Sequence, residues 1–173
     1  DYHVHSSFSD DSKTPLRVQV LRACELGLDE ICFTEHVDYG IKKDWSDGEI
    51  SYREGKPLAN ANYPEYFCEI ERVREEFSGR IKIRAGLEFG IQTHTIEQYE
   101  KLFTRYHDEL DFILLSIHQV GNKEFWTQDF QRGKSQDEYN NAYYLELLNV
   151  VKKFRDYSVL AHLDLLSRTR SIS

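Results

Sequence analysis

The sequence predicts an α/β fold whose parallel strands close into a barrel, and three observations predict it. Apolar, strand-like runs end in histidine at residues 1–5, 31–36, 112–118 and 158–162, while a fifth run, residues 81–88, ends in a carboxylate. Amphipathic helical stretches separate most of these runs, and strands joined through helices pair in parallel. The polar residues fall at the C-terminal ends of the runs, where parallel sheets and barrels gather their functional groups. His3, His5, His36, Glu88, His118 and His162 are thereby expected around one pocket.

Residues 1–5 read as a strand whose alternate side chains, His3 and His5, leave by one face and can converge on one ion. Alone, an HxH pair is weak, because histidines two apart are more often incidental or hydrogen-bonded than coordinating. A polar loop follows, with Asp10 and Asp11 either solvated, the usual fate of loop aspartates, or, for Asp11, a ligand beside the pocket. Thr14-Pro15 reads as an N-cap followed by proline at the first helical position, and Leu16, Val20, Ala23 and Cys24 share a helical face that Gly27 ends.

The second strand runs from about residue 30 to His36. Residues 37–62 then carry charges, aromatics, Gly and Pro without clear periodicity, a length that in compact domains marks lids and specificity loops. Arg53 and Lys56 within it could reach an anionic substrate or be ordinary surface cations, the commoner case. Phe67, Ile70, Val73, Arg74 and Phe77 describe a helix between Pro64 and Gly79. After the third strand, Thr95-Ile96-Glu97-Gln98 has the form of a capping box, and Ile96, Tyr99, Leu102, Phe103 and Tyr106 form the next buried stripe. His94 and His107 lie off the strand ends and are expected not to be ligands. The fourth strand ends at His118, and a second long loop spans residues 119–134. Ser135-Gln136-Asp137-Glu138 is another capping box, opening a helix with Tyr144, Leu147, Leu148, Val151 and Phe154 inward. The fifth strand is expected over residues 157–166, containing His162 and Asp164.

At 173 residues and 20.5 kDa, with 40% hydrophobic residues, the chain suits one cored domain. A net charge of −8 repels polyanions, so general nucleic-acid binding is disfavoured. Three cysteines without CxxC spacing read as reduced, packed thiols of a cytoplasmic protein. No run approaches the roughly 18 apolar residues of a membrane span, and no signal-peptide pattern is present. The chain starts without Met and already on a strand, so a residue or more is expected in front.

Imidazole nitrogen and carboxylate oxygen suit zinc, manganese and iron, and the near absence of sulfur argues against a structural zinc cage. One ion needs three or four protein ligands, whereas more crowd this rim, so two or three divalent ions sharing a bridging carboxylate, Glu88, are expected. Two such ions about 3.5–4 Å apart acidify the water between them and clamp the oxygens of an in-line phosphoryl displacement. The competing reading makes several of these histidines core residues satisfied by carbonyls.

His3-Val4-His5 with Ser6, Ser7 and Ser9, Thr34-Glu35-His36, Gly86-Leu87-Glu88, Ser116-Ile117-His118 and Ala161-His162-Leu163-Asp164-Leu165 resemble, in order, the motifs of the PHP (polymerase and histidinol phosphatase) superfamily. Ser116-Ile117-His118-Gln119-Val120, then Phe125-Trp126 and Asp129-Phe130, and residues 157–165 look most like its histidinol-phosphate phosphatase branch. The resemblance implies a distorted (β/α)7 TIM-like barrel with a trinuclear site. It further implies that His3 and His5 hold a first ion, that Glu88 bridges first and second, that His118 and His162 complete the second, and that His36 with Asp11 holds a third. Glu35 and Asp164 would orient ligands, and Arg168 would lie close to the phosphate. The superfamily's last Asp-x-His motif has no match after His162, and five strands do not close a seven-stranded barrel. This sequence is therefore expected to be the N-terminal portion of a protein of roughly 250–280 residues, the C-terminal strands lying beyond it.

The function implied is hydrolysis of a small phosphorylated substrate, L-histidinol phosphate, to L-histidinol and phosphate in histidine biosynthesis, by attack of a metal-bridging hydroxide. Glu88, His118 and Arg168 are the expected catalytic groups, with Arg53, Lys56 and Arg168 toward substrate. A nucleotide or oligonucleotide phosphoesterase of the same superfamily, and a non-catalytic metal-binding domain, are the alternatives. Self-association into a homo-oligomer is left open.

Overall fold

The computed structural model describes residues 1–168. In chain order its elements are α1 (Leu16–Glu25), β1 (Glu30–Val37), a hairpin of β2 (Tyr52–Arg53) and β3 (Lys56–Pro57), α2 (Tyr63–Glu76), β4 (Lys82–Gly90) and α3 (Ile96–Tyr106). β5 (Phe112–Ser116), a second hairpin of β6 (Gln119–Val120) and β7 (Lys123–Glu124), α4 (Gln136–Lys153), β8 (Val159–Leu160) and α5 (Leu165–Arg168) complete them. The main sheet has the order β1-β4-β5-β8 with every neighbouring pair parallel. Spatial order follows chain order, as it does along a barrel wall. Among the described residues no helix is long and apolar enough to cross a membrane.

β1 and β4 are buried along nearly their whole length, as strands covered on both faces must be. Helices supply the cover through Leu16, Val20 and Ala23 of α1, Tyr66, Phe67, Ile70 and Val73 of α2, and Tyr99, Leu102 and Tyr106 of α3. Two buried tyrosines fasten the central strands from the helix side. The Tyr66 hydroxyl lies 3.1 Å from the Phe33 carbonyl and 2.9 Å from that of Gly86, and accepts from the Gly86 N–H at 3.2 Å. The Tyr99 hydroxyl lies 2.8 Å from the Val37 carbonyl and 3.0 Å from that of Gly90, at the functional ends of both strands.

Several local expectations are corrected. Residues 1–5 do not form a full strand. Val4 bridges Phe33 in parallel, and the Cys32 and Thr34 N–H groups donate to the Asp1 and Val4 carbonyls at 2.8 Å each, but the Asp1 carboxylate captures the His3 N–H at 3.1 Å. Pro15, not Thr14, occupies the N-cap of α1. Thr95 turns its hydroxyl back to Gln92 N and O, at 3.0 and 3.1 Å, instead of capping α3. The Ser135 capping box does form. On α4 the inward stripe is Tyr143, Leu147 and Val150, which leaves Tyr144 and Leu148 about half exposed. β8 is only two residues long, because its last ladder bond, from Ala161 N–H to the Leu115 carbonyl, precedes a turn at His162 (φ +21°) into α5. Of the cysteines, Cys32 is buried but Cys68 is exposed.

Tyr66→Phe removes the hydroxyl from buried backbone groups that water cannot reach. Urea unfolding is expected to show a loss of about 1–3 kcal/mol, and an unchanged midpoint would contradict the fastening role.

Candidate metal centre

Glu88 is the middle of the site and is fully buried. It lies on β4 opposite His36 of β1 and Leu114 of β5, so the parallel register delivers flanking groups to it from both sides. Its Oε1 is 2.7 Å from His162 Nε2, 3.1 Å from His118 Nε2 and 2.6 Å from the Ser116 hydroxyl. Its Oε2 is 3.2 Å from His3 Nε2, 3.4 Å from His5 Nε2 and 3.4 Å from His36 Nδ1. Each carboxylate oxygen thus faces its own set of imidazoles.

Three donor groups have ligand atoms within 4.8 Å of one another: His3, Glu88 and His162; His5, His36 and Glu88; His36, Asp38 and His118. The donors fit divalent cations on two grounds. Nδ1 of His36, the nitrogen that faces Glu88, is buried without a hydrogen-bond partner, a costly condition for a polar atom. Five imidazoles around one carboxylate also cannot all be protonated, since like charges oppose one another. Borderline N and O donors in this number suit zinc, manganese or iron.

The ionisation pattern agrees. Burial alone would raise the Glu88 carboxyl, but His118, His162 and His3 hold it well below the usual carboxylate range. Burial and the neighbouring His36 push His5 down to about 4. Burial would also lower His118, yet Asp38 and Glu88 push it up to about 10.

Supporting contacts fix these side chains. Glu35, buried, accepts from the Ser6 N–H at 3.0 Å and from the Ser6 and Ser9 hydroxyls at 2.6 and 2.5 Å, while Ser9 Oγ accepts from the His36 N–H at 3.0 Å. Gln19 Nε2 donates to the His5 carbonyl at 2.7 Å. Asp38 Oδ1 is 2.7 Å from His118 Nδ1, which leaves Nε2 toward the centre. Gly90 is required here, because a Cβ would collide with the Asp38 carboxylate and come within 2.7 Å of His118 Nδ1.

The six residues expected around one pocket are therefore together. Asp11 joins at the rim, with Oδ2 3.3 Å from His36 Nε2; burial opposes its ionisation, but the His36 contact prevails and brings its carboxyl down to about 2. Arg53 pairs with Glu124 at 2.6 Å and Lys56 donates to the Asp10 carbonyl at 2.5 Å. The Arg168 side chain lies outside the described residues. Asp164 is exposed in the turn before α5. His94 and His107 contact Asn122 Oδ1 and the Thr104 carbonyl instead of the centre. Sequence reasoning passed over Asp38, although His36-Val37-Asp38 repeats the x-spacing of His3-Val4-His5.

The PHP domain family model matches residues 1–171. The chain belongs to the PHP domain family. It is 37% identical over 171 residues to the histidinol-phosphatase of Lactococcus lactis, a match covering 97% of this chain and 57% of that protein. Against the histidinol-phosphatase of Bacillus subtilis the identity is 28% over 119 residues, covering 68% and 43%. A crystal structure of the Lactococcus lactis histidinol phosphate phosphatase complexed with zinc, L-histidinol and phosphate superposes with a TM-score of 0.81 at 35% identity, over 97% of this chain and 59% of that one. This PHP chain spans 57% of the length of the Lactococcus lactis protein.

Zinc added at pH 7 to the metal-depleted PHP chain is expected to release at least one proton. His118, raised to about 10, stays protonated below that pH until an ion takes Nε2. Calorimetry in buffers of different ionisation heat measures the release; none would contradict the assignment of His118 as a ligand.

Proposed function

We propose that this chain carries the metal centre of a phosphomonoesterase acting on L-histidinol phosphate, releasing L-histidinol and phosphate. The observation that carries the reading is one fully buried carboxylate, Glu88, with five imidazoles around its two oxygens. The names and bound molecules of the Lactococcus lactis relative supply the substrate class.

His3, His5, His36, Glu88, His118 and His162 would hold two or three divalent ions, zinc foremost and manganese or iron as alternatives, with Asp11 completing the rim. Ions so held supply an acidified water and positive charge for phosphoryl oxygens. The chain's own groups do the rest. Glu88 stays ionised and divides its oxygens between the two imidazole sets. Asp38 keeps the His118 proton on Nδ1 and so commits Nε2 to the centre. Glu35 ties the Ser6 and Ser9 loop to β1 and holds His5 and His36 in place. Arg53, Lys56 and Arg168 are assigned to the phosphate side; Arg53 and Lys56 must exchange Glu124 and the Asp10 carbonyl to act there.

Phosphate release from L-histidinol phosphate is expected to stop on chelation and return with added zinc or manganese. Glu88→Gln is expected to lower kcat by on the order of 10²–10³-fold, equivalent to several kcal/mol of transition-state charge stabilisation. Turnover unaffected by the chelator, or faster cleavage of a single-stranded oligonucleotide than of histidinol phosphate, would overturn the proposal.

A further inference from the structure

On the far side of Asp38 from His118 lies a buried ammonium. Lys42 Nζ is 3.0 Å from Asp38 Oδ2 and 2.7 Å from Asp10 Oδ1, with 6% of its side chain exposed. The backbone puts it there: the Ile41 and Lys42 N–H groups both donate to the Asp38 carbonyl, at 3.1 and 2.8 Å, in a turn through Gly40 at φ +93°. Burial would strip the proton from Lys42, but Asp38 and Asp10 keep it charged.

Its two carboxylate partners belong to different arms of the centre. Asp38 gives its other oxygen, Oδ1, to His118 Nδ1. Asp10 precedes Asp11, which reaches His36, and its carbonyl is held by Lys56. Stability alone explains this poorly, since apolar groups of similar volume often serve as well as a buried ion pair. A link between two ligand-bearing segments does explain it. We propose that Lys42 is a positioning residue: it locks the Asp10–Asp11 loop to the Asp38–His118 pair and so sets how tightly the His36 side of the centre holds its divalent ion. The proposal rests on the metal-centre reading above.

Zinc is titrated into the metal-depleted wild type, Lys42→Met, Lys42→Arg and Asp10→Asn, with affinities read by competition against a chromophoric chelator, stoichiometry by elemental analysis and folding by thermal unfolding. Lys42→Met is expected to weaken one zinc site by about 10–100-fold and leave the others unchanged. Lys42→Arg is expected to restore much of the loss. Asp10→Asn breaks the link at its partly exposed end and is expected to show part of it, which keeps the test decisive if Lys42→Met does not fold. Wild-type zinc affinities in folded Lys42→Met, or in Asp10→Asn where Lys42→Met does not fold, would overturn the positioning role alone, whatever the melting temperatures. A wild type that binds no zinc would overturn the metal-centre reading and the lysine's role with it.

Discussion

A carboxylate removed entirely from water must be compensated where it sits, and Glu88 is that carboxylate. Its position on β4, in the sheet interior, means compensation comes from the ends of the sheet's strands and from segments that pack beside them. Parallel strands end together, so the residues that leave β1, β5 and β8 meet over the same point. His36, His118 and His162 arrive this way, and the extended segment beside β1 adds His3 and His5. Fold and site are thus one arrangement: the sheet sets the strand ends, and the strand ends surround the charge.

Holding that arrangement requires rigidity in groups that do not touch Glu88. Tyr99 joins the carbonyls of Val37 and Gly90, one residue before Asp38 and two after Glu88 respectively. Gly90 leaves the space in which Asp38 and His118 meet. Glu35 sits on the opposite face of β1 from His36 yet governs it, because the Ser9 hydroxyl that donates to Glu35 also accepts the His36 N–H. These contacts give the imidazoles fixed directions, which coordination demands more strictly than hydrogen bonding does.

Much of this was legible in the sequence because apolar runs that stop at a histidine or glutamate are rare in ordinary strands, and five in order leave few topologies. That signal picks out His3, His5, His36, Glu88, His118 and His162, whose side chains meet in the structure. Asp38 escapes that signal because the apolar run ends at His36, while the alternation that exposes Asp38 to the same pocket continues one step further. On α4, Tyr143, Tyr144, Leu145, Leu147 and Leu148 offer two overlapping apolar stripes, and periodicity cannot choose between faces so nearly equal. Thr95 has the residue type of a cap, but a nearer backbone partner at Gln92 took its hydroxyl. Lys42 carried no pattern of its own, since its role depends on a turn that brings together residues far apart in sequence.

The proposed metal centre requires Glu88 to be shared between ions instead of neutralised by protonated imidazoles. Anomalous diffraction at the zinc absorption edge, from zinc-loaded crystals of this chain, tests that most directly. Separate peaks are expected beside the two Glu88 oxygens, each also contacted by histidine nitrogen. Density showing Glu88 bonded only to imidazoles, with no anomalous scatterer within coordination distance, would contradict it.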